Sequence, residues 1–111
     1  MEFKRLNNMT GKDPVMNRRI ASIFLNDLET FKELFSSITS PSQMGQVQFA
    51  LHKIKPSLVI FEMDELLEQY EEILAKVKLG IAISEEDEGL VSLIQESNNQ
   101  IARVKQFLSS M

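Results

Sequence analysis

Starting at Met44, apolar residues return at Val47, Leu51, Ile54, Leu58 and Phe61, in steps that alternate three and four. That rhythm follows the 3.6-residue turn of an α-helix and leaves one face of it apolar. Three other stretches carry the same signature. Ile20, Phe24, Leu28, Phe31, Phe35 and Ile38 form one stripe, and Leu66, Leu67, Tyr70, Ile73, Leu74 and Val77 form another. Leu90, Leu93, Ile94, Ile101, Val104 and Leu108 form the last. A helix with one apolar stripe must bury it against a neighbour, so four of them on 111 residues predict a single all-α domain. The expected architecture is an antiparallel up-down four-helix bundle, with helices at about 14–38, 41–61, 64–79 and 85–109.

The predicted ends have chemical causes. Asp13 is placed to cap the first helix, with Pro14 at the first helical position, where no N–H is needed. Ser40, Pro41 and Gln43 repeat that arrangement for the second helix, Gln43 reaching back as in a capping box. Gly80 stands where the third helix needs a left-handed residue to stop. Ser84 is read as the cap of the fourth, with Asp87 in its first turn opposing the positive end of the helix dipole. Leu79 to Ile83 is too short and Gly-interrupted for a strand and reads as a loop pinned by its aliphatic side chains. Residues 1–12 can add a short extra N-terminal helix, with Phe3 and Leu6 packing on the end of the bundle.

Composition then removes function classes. No cysteine is present, so disulfides, thiolate metal sites and cysteine nucleophiles are excluded. A net charge of −4 gives no basic excess to displace counterions, which argues against nucleic-acid binding. No apolar run is long enough to span a membrane, and Met1 to Lys12 lacks the apolar region of a secretory signal. A cytoplasmic setting without direct membrane contact is therefore the expectation. The six methionines are scattered among the helices and read as gap-fillers in a core.

There is one histidine, His52. At 100° per residue it lies about 120° from the centre of the second helix's stripe, on the shoulder or outer face. Gly45, Gln48, Phe49, Lys55, Pro56 and Val59 fall near it. From Leu34 to Phe61 there is no Asp or Glu, while Lys53 and Lys55 are present. Glu62, Asp64, Glu65, Glu68, Glu71 and Glu72 follow as an acidic block, read as the outer face of the third helix. Phe49 and Val59 surround the histidine with apolar area, the mark of a partner site, unless residues 1–12 fold over Phe49 and make it core.

A hydrolase triad needs a carboxylate to orient the imidazole, and the local charge here is positive. A zinc site needs several His or Cys ligands, and a lone histidine does not supply them. What remains is a nucleophilic role, in which the free ring nitrogen accepts a phosphoryl group. Lys55, one turn on, is close enough to pair with the phosphoryl oxygens. Gln48, one turn before, can orient the ring or the phosphoryl group.

His52-Lys53-Ile54-Lys55-Pro56-Ser57 resembles the phosphoacceptor motif of histidine-containing phosphotransfer domains, which reads His, any residue, an aliphatic, Lys, Gly, then Ser or Thr. Phe61, Leu66, Tyr70 and Ile73 fall where that family places its downstream apolar residues, and Phe24 to Phe35 looks like its preceding helix. The resemblance covers most of residues 3–78, and 84–110 fits as a generic closing helix. It implies a phosphorelay carrier that takes a phosphoryl group on His52 from the aspartate of one response-regulator receiver domain and passes it to another. Lys55 would neutralise the phosphoryl group and Ser57 would be the motif's small polar residue. The implied partners are receiver domains and a hybrid histidine kinase. The implied protein is a monomer, freestanding or part of a membrane-anchored kinase, without autonomous catalytic activity. It would need no cofactor or metal of its own, Mg²⁺ belonging to the receiver. Two positions depart from the family pattern. Pro56 replaces the usual glycine, removing a backbone N–H and bending the helix, and Glu62 stands where glycine is frequent.

Two rivals stay open. A helical adaptor could bind receiver or kinase domains through Phe49 and Val59 without being phosphorylated. A small helical enzyme is the weaker rival, because no nucleophile–base pair with supporting spacing is present.

Overall fold

The computed structural model describes residues 3–36, 44–81, 83 and 86–111. Among the described residues five helices run in order: α1 (Lys4–Thr10), α2 (Pro14–Ser36), α3 (Met44–Ile60), α4 (Asp64–Lys78) and α5 (Glu88–Ser109). No strand occurs among the described residues. The four longer helices pack in a closed cycle, α2 on α3, α3 on α4, α4 on α5 and α5 on α2, and α1 sits against α2. The result is a helical bundle, 45 Å along its longest axis and 19 Å along its shortest.

The core is built from the apolar stripes. Phe24, Leu28, Phe31 and Phe35 of α2, Val47, Leu51, Ile54 and Leu58 of α3, and all six stripe residues of α4 are buried. In α5, Leu90, Leu93, Ile101 and Val104 are buried, together with Phe107, which lies off the predicted stripe. Phe24 stacks on Phe61 with centroids 4.3 Å apart, and Phe31 and Phe35 meet Tyr70 edge-on.

At seven residues, α1 is too short to persist alone. Its docking supplies the stability: Phe3 and Leu6 are fully buried, and Phe3 meets Phe61 and Phe107 edge-on. Burying a phenylalanine side chain is worth roughly 1.5–3 kcal/mol. Arg5 Nη1 donates to the Val59 carbonyl and pairs with Asp64 at 2.9 Å, tying α1 to the turn between α3 and α4.

The helix ends agree with the sequence reading in part. Asp13 Oδ1 accepts from the amides of Val15 and Met16, so it caps α2. Gly80 takes the left-handed conformation after α4, at φ 79°. The predicted start at Ser40, Pro41 and Gln43 lies outside the described residues. The start of the last helix is a correction. It begins at Glu88 rather than near 85, and Asp87 is its cap, with Oδ1 accepting from the Leu90 amide at 3.1 Å. Ser84 lies outside the described residues. The loop after α4 is also held differently, since Leu79 and Ile81 are exposed and Ile83 is buried.

Glu62 ends α3 in the left-handed region, at φ 59°. The Met63 amide returns to the Leu58 carbonyl and the Glu62 amide to Val59, so the last carbonyls of α3 are satisfied in a Schellman-like turn. Met63 and Leu58 are both buried, as that turn requires. Glu62 Oε2 accepts from the Lys4 amide at 3.1 Å, at the start of α1. A glutamate therefore serves where glycine would be less strained, because its carboxylate takes an amide that α1 cannot satisfy internally.

Candidate functional site: a groove beside His52

α3 is unbroken from Met44 to Ile60, with Pro56 inside it. Its buried stripe turns the opposite shoulder outward, and His52, Lys53, Lys55 and Pro56 are all exposed. Pro56 has no N–H to give the His52 carbonyl, so one helical hydrogen bond is missing directly beneath the histidine. Ser57 is half-buried, and its carbonyl accepts from the Phe61 amide at 2.9 Å.

An open groove of about 330 Å³ runs between α3 and α4. Gln48, Leu51, His52 and Lys55 line it from α3. Glu71, Leu74, Ala75 and Lys78 line it from α4. The groove thus gathers His52, Lys55 and Gln48, the three residues assigned to the acceptor chemistry. Among the described residues, nothing hydrogen-bonds to the His52 ring. A triad's orienting carboxylate is therefore not seen there.

Lys55 Nζ lies 3.6 Å from Glu71 Oε1, with the two side chains 53% and 50% exposed. The local positive charge inferred from α3 alone is thus corrected by a carboxylate from the next helix. Glu71 belongs to the acidic block read as an outer face, yet it borders the groove. A signal for this was present. Glu71, Ala75 and Lys78 each directly follow a buried residue of the α4 stripe, Tyr70, Leu74 and Val77. A rotation of 100° from the stripe places all three on its flank.

The predicted docking residues occupy the exposed parts of α3. Phe49 is 74% exposed and Val59 38% exposed, so the described residues 3–12 do not cover Phe49. Gly45 is exposed in the first turn, and a Cβ there would meet nothing within 4 Å, so packing within the chain does not demand glycine. Lys53 lies on the other side of α3, beside a cleft it shares with Asp27 of α2.

Among the described residues no group of His, Cys, Asp and Glu is gathered where it could hold a metal ion. No helix is long and apolar enough to cross a membrane, among the described residues. Comparison with family models, curated proteins and solved structures returned no match to this chain.

Proposed function

We propose that this chain is a phosphorelay carrier of the histidine-containing phosphotransfer type. Its helices form an antiparallel up-down four-helix bundle with α1 added at one end. His52 is the phosphoacceptor, Lys55 neutralises the phosphoryl group and Gln48 orients it. Gly45, Phe49 and Val59 dock a response-regulator receiver domain. The observation that carries this reading is that an exposed lone histidine and the lysine one turn along line one open groove on an unbroken helix.

The chemistry is simple. The unprotonated ring nitrogen of His52 attacks the phosphorus of the receiver's aspartyl phosphate. The N–P bond forms as the P–O bond breaks, and the electron pair leaves with the aspartate carboxylate. The other ring nitrogen's proton passes to water, and the reverse sequence delivers the group to a second receiver. Lys55 offsets negative charge on the oxygens during both transfers. The carrier needs no cofactor; Mg²⁺ sits in the receiver, and the setting is cytoplasmic, freestanding or within a hybrid kinase.

The test is transfer from a phosphorylated receiver. An acid-labile label should appear on the wild-type chain, vanish in His52→Ala and weaken in Lys55→Ala. Normal labelling of His52→Ala would overturn the site. Receiver binding that survives His52→Ala, with no label on the wild type, would favour the adaptor reading.

A further inference from the structure

Lys55, the cation that the carrier chemistry needs, is already occupied. Its ammonium faces Glu71 across the groove at 3.6 Å, and both side chains are about half exposed. The separation is longer than that of a tight charge-assisted contact, and exposed pairs of this kind are weak. A phosphoryl group on His52 would bring up to two negative charges and three acceptor oxygens to the same groove. Glu71 offers one charge, from the opposite wall.

From this competition we infer that Glu71 is a placeholder anion for the phosphoryl group. It holds the Lys55 ammonium in the unphosphorylated chain and yields it when His52 is loaded. The inference rests on His52 being the phosphoacceptor, and it makes Glu71 a positioning residue acting through Lys55. The exchange has two consequences. While Lys55 is paired with Glu71 it must be released before it can engage the phosphoryl group, which slows loading. Once exchanged, Glu71 stands unpaired beside a phosphoryl dianion, which raises the loaded state and favours onward transfer.

Phosphoramidate provides the test without an identified partner. Its P–N bond breaks as the N–P bond to His52 forms, and ammonia leaves. Initial rates of phosphohistidine formation, followed by ³¹P NMR, are measured for the wild type, Glu71→Gln, Lys55→Ala and the double variant. Circular dichroism checks that each is folded, which two half-exposed positions should allow. Glu71→Gln should label about two- to fivefold faster than the wild type. In the Lys55→Ala background the same change should gain at least about twofold less, the coupling expected of groups in contact. Equal gains in both backgrounds would show a general field effect and overturn the placeholder role, as would no gain in either. A wild-type chain that takes no label at His52 would bring down the phosphoacceptor reading and the placeholder with it. Labelling at His52 without coupling defeats the placeholder alone.

Discussion

The Tyr70 hydroxyl lies 2.5 Å from Ser97 Oγ, inside the interface of α4 and α5. Ser97 donates its own proton to the Leu93 carbonyl, so Tyr70 is the donor to Ser97. Burial pushes the Tyr70 phenol up from 10.0 to about 12, opposed in part by Ser97. Below pH 10 the folded and unfolded chains both keep that proton. Between pH 10 and about 12 the unfolded chain releases it and the folded chain does not, so stability falls as pH rises. Urea midpoints for the wild type should drop through that window by more than those of Tyr70→Phe. At neutral pH, Ser97→Ala should cost about 1–3 kcal/mol, because it leaves a buried hydroxyl without an acceptor. Tyr70→Phe should cost less, about 0.5–1.5 kcal/mol.

Glu62 combines a left-handed backbone with a hydrogen bond to the Lys4 amide. Replacement by alanine keeps the backbone cost and loses the bond. Replacement by glycine loses the bond but removes a backbone cost of about 1–2 kcal/mol. Glu62→Gly should therefore be more stable than Glu62→Ala by about 1 kcal/mol in urea unfolding. Equal stabilities would mean that the turn after α3 relaxes out of the left-handed region.

These two sites mark the limit of what the sequence made legible. Period placed most of the core, because burial follows the helical repeat: Val47, Leu51, Ile54, Leu58 and Phe61 are all buried, whereas Phe107 and Ile83 are buried off the predicted stripes. The buried polar residues Asn17 and Ser97 fall outside that logic. Each is satisfied by a partner from another element, Asn7 for the Asn17 amide at 2.8 Å and Tyr70 for Ser97. The start of α5 was misplaced because Ser84 and Asp87 are both good caps, and local chemistry does not choose between them. At the site, the outward position of His52 was readable from one helix. The Glu71 partner was not, since it depends on how α4 lies against α3.

Phe49 allows the proposed docking face to be tested apart from packing. At 74% exposure its ring contributes little to the core. Phe49→Ala should change unfolding stability by no more than about 0.5 kcal/mol. Phosphotransfer from a receiver should fall through weaker binding, while labelling by phosphoramidate stays at the wild-type rate. Loss of both reactions would place the ring in the acceptor chemistry instead of the interface.

Pro56 leaves the His52 carbonyl, beneath the proposed phosphoacceptor, without its helical hydrogen bond. α3 nevertheless continues through it, and both His52 and Pro56 are exposed. An interior proline costs a helix about 3 kcal/mol relative to alanine, part of which is returned by its stiffening of the unfolded chain. Pro56→Ala should accordingly raise stability by about 1–3 kcal/mol, and Pro56→Gly by about 1 kcal/mol less than that. Phosphoramidate labelling should stay within about twofold of the wild type, since the side chains of His52 and Lys55 are retained. Transfer from a receiver should change more, because the proline shapes the backbone that a partner must approach. If Pro56→Ala is instead destabilising, the packing of α3 depends on geometry that only the proline imposes, and its role is in the fold before it is in docking.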